Sequence, residues 1–163
     1  MKISAAYKGV ITGVVMIATA LVAYLLLKLP VNQKEQYVLY AVFTAGIVWS
    51  LMAEKKNNTI VSFKDHFEIG FRTFLIATLL MVIFTFIYFK FDTSYIDNLI
   101  KENNALLVAE KQRTPIEIED NAKNIKKMFL PSLLIAATFK YLIVGAIVTA
   151  VGASFISQQK AKG

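Results

Sequence analysis

The sequence predicts an all-α membrane fold: a bundle of four transmembrane helices, with an extramembrane helical hairpin between helices 3 and 4. Three observations predict it. Apolar residues make up 56% of the chain, above the roughly 45–50% usual for soluble domains. Charges gather in blocks, leaving four charge-free runs of 17 to 19 residues, and a hydrocarbon core about 30 Å thick needs roughly 17–25 helical residues to cross it. Between the third and fourth runs lies a charged stretch with helical periodicity. Barrel strands would alternate polar and apolar residues instead, and these runs do not. The chain, 163 residues long, is read as a single integral membrane domain.

The first span covers about 9–27, after Lys2 and Lys8. Its core exceeds the roughly 7–15 apolar residues of a signal peptide, and no small-x-small cleavage site follows, so it reads as a retained helix. Gly9 and Gly13 open it with a small face that lets a neighbouring helix approach closely. The second span, about 37–53, ends at Glu54. The third, about 73–89, is entered through Ser62-Phe63-Lys64-Asp65-His66-Phe67. Here Ser62 and Asp65 form a capping box, and Phe63, Phe67, Phe71 and Phe74 recur near a helical period. Two readings stand for this entry. It is either a short amphipathic helix lying at the inner interface before the span turns away, or the solvated first turns of one long helix. In both, His66 is expected to be an exposed polar residue.

The segment 90–128 is too long to be structureless. Tyr95, Leu99, Leu106 and Leu107 predict a first amphipathic helix, which Gln112-Arg113-Thr114-Pro115 breaks. Thr114-Pro115-Ile116-Glu117 restarts a helix, with a Thr cap, Pro at the first position and Glu three residues after the cap. Ile118, Ala122, Ile125 and Phe129 carry that helix towards the membrane. The fourth span covers about 133–157. Lys140 lies inside its apolar run, and an intramembrane Lys is costly and often functional. The apolar stretch 128–157 would measure about 45 Å at 1.5 Å per residue. The bilayer can therefore begin near Lys140 and let its ammonium snorkel outwards; the alternative is a buried Lys140 paired with a polar group or a partner. Gly145, Thr149 and Gly152 line one face of this span. Small faces of this kind either join spans within one chain or pair two chains.

The basic flank at Lys2 and Lys8 places both termini in the cytoplasm. The raw distribution of cations is nearly balanced, but the outer segment 90–128 carries as many carboxylates as cations. Tyr24, Tyr37, Tyr88 and Tyr95 near the outer ends, with Tyr7 and Trp49 near the inner ends, suit aromatic belts at both interfaces.

The net charge of +7 does not mark a nucleic-acid binder, because the cations sit at the ends of apolar runs rather than along a groove with stacking aromatics. No cysteine is present, which excludes disulfides and thiolate-ligated metals. No inner carboxylate pair, Ser/His or Cys/His arrangement or Gly-rich phosphate loop appears, so no enzyme and no cofactor is expected. Lys55, Lys56, Lys64 and Arg72, grouped about Phe67, form the candidate lipid- or partner-binding surface, with Lys140 as a further candidate. Cations at such a surface attract phosphate headgroups.

The segment Ile60-Val61-Ser62-Phe63-Lys64-Asp65-His66-Phe67-Glu68-Ile69-Gly70 carries a resemblance. So does the order of parts: two close spans, this entry motif, a third span, a charged helical insert and a last span. Both resemble a small membrane family of Bacteroidota, domain of unknown function 4199 (DUF4199), over nearly the whole chain. The resemblance implies no particular activity. It does imply a partner among the polyprenyl-phosphate glycosyltransferases, near whose genes members are encoded. The expectation is therefore a non-enzymatic accessory or scaffold subunit of a membrane-surface complex in the bacterial inner membrane, meeting anionic or polyprenyl-phosphate lipids. The alternative is a transporter or flippase component acting as a homo-oligomer.

Overall fold

A computed structural model describes residues 4–26, 33–55, 62–110 and 113–161, with side chains undescribed at 25–26, 33–35, 55 and 159–161. Its described elements are all helical: α1 (Ala5–Leu21) with a π-helical extension (Val22–Leu26), α2 (Gln33–Lys55), α3 (Phe63–Phe91), α4 (Ser94–Glu110) and α5 (Pro115–Ala161). Four stretches are long and apolar enough to cross a membrane: Ala5–Tyr24, Gln36–Glu54, Phe63–Phe91 and Pro115–Gln158. The chain is a multi-pass membrane protein.

Helix starts follow from local chemistry. Ser4 caps α1, its hydroxyl accepting the Tyr7 N–H at 3.2 Å. At α3, the Ser62 hydroxyl accepts the Asp65 N–H at 3.2 Å and donates to the Asp65 carboxylate at 2.7 Å. From there α3 runs unbroken to Phe91. The entry motif is thus the first turns of one long helix, and among the described residues no separate interfacial helix precedes it. Phe63, Phe67, Phe71 and Phe74 form a ladder along it, with successive ring centroids 5.8, 6.3 and 5.2 Å apart.

Thr114 starts α5. Its hydroxyl accepts the Glu117 N–H at 3.3 Å, and the Glu117 carboxylate accepts from the Thr114 N–H at 2.7 Å and its hydroxyl at 3.0 Å. The helix has 47 residues. Pro131 lies inside it and cannot donate to the carbonyl of Lys127, yet the helix continues through it.

The chain divides into two compact units. The first, Met1–Ile83 with Thr138–Gly163, holds α1, α2, most of α3 and the last half of α5. Its helices meet through small residues. A Cβ on Gly9 would fall 2.7 Å from the Thr73 carbonyl oxygen of α3, and one on Gly13 would meet Leu80 and Ala77. Gly145 lies against Phe74, Thr149 against Gly70, and Gly152 against Leu51. These contacts are within one chain. Met16, Phe43, Ile47, Leu51, Phe74 and Ala77 fill the space between.

The second unit, Phe84–Ala137, holds the end of α3, α4 and the first half of α5. Phe89, Tyr95 and Phe129 form an aromatic trio with centroids 5.7 to 6.0 Å apart. Lys126 reaches Asp97 at 3.6 Å. The inward face of α4 differs from the expected one. Ile96, Ile100, Asn103, Asn104 and Leu107 turn inwards, while Tyr95, Leu99 and especially Leu106 stay exposed. Apolar residues occur on two faces of α4, and sequence periodicity alone does not choose between them.

Candidate functional site

The first unit concentrates buried polar side chains at one end. Lys8 stands in the second turn of α1 and Glu54 in the last turn of α2. The Lys8 ammonium donates to the Glu54 carboxylate at 2.9 Å and lies 3.5 Å from the Ser50 carbonyl oxygen, with side-chain exposures of 4% and 9% for the ion pair. Each charge sits at the unfavourable end of its own helix dipole. Each also sits beside the favourable end of its neighbour, because the N-terminus of α1 meets the C-terminus of α2. This cross-complement suits antiparallel pairing of the two helices.

A second link joins α2 to α3. The Ser50 and Thr73 hydroxyls are 2.7 Å apart. Thr73 has one hydroxyl proton, directed to the carbonyl of Ile69 at 2.9 Å or Ala5 at 3.2 Å. Ser50 is therefore the donor to Thr73. When that proton turns to Ala5, Thr73 also ties α1. Thr12, buried like these, donates to the Lys8 carbonyl at 2.9 Å.

His66 is fully buried, against the expectation of an exposed side chain. It shares a face of α3 with Gly70, Thr73, Phe74 and Ala77, all of them buried. The first turns of α3 therefore already belong to the packed unit. His66 Nδ1 is 2.9 Å from the Ser62 carbonyl oxygen. A carbonyl only accepts, so Nδ1 carries a proton. Among the described residues, Nε2 has no hydrogen-bond partner, and neither has the buried Thr149 hydroxyl.

Of the cations expected about Phe67, Lys64 and Arg72 have described side chains. Lys64 is exposed, and Arg72, also exposed, forms an ion pair with Glu68 one turn before it. Phe67 is half-buried between Phe63 and Phe71. The Lys55 side chain and all of Lys56 lie outside the described residues. Lys140 is exposed and stands apart from this cluster. Its neighbour Tyr141 is buried with edge contacts to Tyr40 and Phe43, about 15 Å along α2 from Ser50 at 1.5 Å per residue.

Charge-free runs hide the Lys8–Glu54 pair, because a search for them stops at each charge and assigns it to water. One signal was present. Lys8 opens the first run and Glu54 closes the second, which puts opposite charges at the same end of two consecutive antiparallel helices. Ser50 and Thr73 give no comparable signal.

The family described as "Protein of unknown function (DUF4199)" matches this sequence over residues 7–158. No curated protein and no solved structure matches it.

Proposed function

Because the chain belongs to the DUF4199 family, we propose that it acts as a non-enzymatic accessory or scaffold subunit of a membrane-surface complex. One observation carries the reading: three helices are tied by polar side chains bonded to one another. Lys8 to Glu54 and Ser50 to Thr73 link α1, α2 and α3 within the first unit. A buried pair with both partners engaged serves registry better than proton transfer. Such a unit presents a fixed surface on which another subunit can assemble. The complex proposed is one built on a polyprenyl-phosphate glycosyltransferase in the bacterial cytoplasmic membrane, with both termini in the cytoplasm. Lys55, Lys56 and Lys64 would then draw phosphate headgroups to the inner surface.

Purification from native membrane in mild detergent tests this. A stoichiometric partner that stays bound through size exclusion is expected. Flux of a solute or lipid in liposomes holding this protein alone would overturn it.

The transporter or flippase reading draws on a different observation: Lys8, Glu54 and His66, all ionisable, are buried in the first unit. Buried ionisable groups in membrane helices often mark ion or substrate pathways. The same liposome flux experiment separates the two, since the transporter reading requires flux and the scaffold reading does not.

A further inference from the structure

At the end of the first unit opposite Glu54, we infer that Lys140 forms a lateral binding site for the phosphate of an anionic lipid headgroup. The inference is independent of the scaffold reading. Lys140 lies on the outward face of α5, among exposed Phe139, Ile143 and Ile147. In a membrane helix that face meets lipid. The depth follows from packing. Tyr141 contacts Tyr40, and Tyr40 stands four residues after Gln36, where the apolar stretch of α2 begins. Those four residues measure about 6 Å at 1.5 Å per residue, within reach of an extended lysine side chain. The ammonium can therefore leave the hydrocarbon and arrive among the headgroups. Exposed Tyr37 and half-buried Tyr24 and Tyr40 mark the same end, as an interfacial aromatic belt does.

Charge decides which headgroup component is favoured. Among described side chains of this unit, every other charged group lies towards the Glu54 end: Lys8, Glu54, Lys64, Asp65, Glu68 and Arg72. None of them forms an ion pair with Lys140. A lysine at headgroup depth without a described carboxylate partner selects an anionic phosphate over a zwitterionic one, and the preference weakens as salt rises.

Native mass spectrometry of the full chain tests this, with phosphatidylglycerol and phosphatidylcholine supplied in equal amounts. Wild type is expected to retain phosphatidylglycerol preferentially, and the preference should fall with added salt. Lys140→Gln should reduce the preference about fivefold, the effect of one interfacial cation. Lys140→Arg should keep it, and Lys123→Gln, at a lysine already paired with Glu119, should leave it unchanged. Thermal unfolding should be alike for all four proteins, because both lysines are exposed. The site is overturned if Lys140→Gln retains phosphatidylglycerol as wild type does, or if the preference is insensitive to salt.

Discussion

The two compact units are held together by different physics. In the first, helices approach at glycines and bury charged and hydroxyl side chains bonded across helix boundaries. In the second, an aromatic trio, exposed ion pairs and helix caps take that part. Lys123 shows the contrast with Lys8. It reaches Glu119 at 2.9 Å, as Lys8 reaches Glu54, but its side chain is 67% exposed. An exposed pair of this kind typically contributes under about 1 kcal/mol. Losing one partner of a buried pair leaves a charge stranded away from water, so equal distances conceal very different consequences.

The largest effect expected from that contrast is at Glu54. Glu54→Ala should destabilise the first unit by about 3–5 kcal/mol, because Lys8 remains buried without its carboxylate. Thermal unfolding in detergent measures it. The double variant Lys8→Met, Glu54→Met should recover much of the loss, since neither charge is then buried. Glu119→Ala in the second unit should barely move the transition. If the Glu54 and Glu119 variants unfold alike, the distinction between the units collapses.

A smaller effect is expected where backbone meets backbone. A Cβ on Gly9 would lie 2.7 Å from the Thr73 carbonyl oxygen, an atom that cannot swing aside as a flexible side chain can. Overpacking of this kind costs about 1–3 kcal/mol, and the better helix propensity of Ala returns up to about 1 kcal/mol. Gly9→Ala should therefore lower the melting temperature modestly, by shifting α1 against α3. An unchanged or raised melting temperature would show that α1 can move away freely.

How much of this was legible in sequence differs between the units. In the second, the caps and the break before Pro115 are local, and Thr114 and Glu117 meet as three-residue spacing requires. What failed there was the choice of face on α4, because Leu106 and Leu107 are equally apolar and only their burial in the folded chain separates them. In the first, the long apolar helices were legible because they depend on runs of residues. Its polar junction was not, because Lys8 and Glu54 lie 46 residues apart and acquire meaning only once α1 and α2 pair. His66 was misplaced for a related reason. Charged neighbours at Lys64, Asp65 and Glu68 suggest water, yet the helical period carries His66 onto the same face as Thr73.

Next in size is the cap of α5. Thr114→Ala removes the hydroxyl that accepts the Glu117 N–H, and a lost cap of this type costs about 1 kcal/mol. Amide exchange across residues 116–122 should accelerate, with exchange in α1 and α2 unaffected. Equal protection in the variant would mean that the start of α5 is held by something other than its cap.

The smallest effect separates the units by pH. Glu117 lies outside the expected span, and hydrogen bonds from the Thr114 N–H and hydroxyl, helped by the charge of Arg113, hold its carboxyl below the ordinary value of 4.5. A carboxyl whose folded value is depressed contributes fully above its ordinary value, and loses that contribution as pH falls through the depressed one. Protection of residues 116–122 should therefore weaken as pH drops below about 4.5, the ordinary carboxyl value. Glu117→Gln supplies the control. A Gln at this position of a capping box still accepts the Thr114 N–H, but it does not titrate. In that variant the acid-dependent loss across 116–122 should shrink to the part that Glu119, held below its ordinary value by Lys123, contributes, while Asp92, held below its ordinary value by bonds from Ser94, should still loosen the start of α4 on acidification. If wild type and Glu117→Gln lose protection in parallel, the acid response of α5 does not originate in its cap.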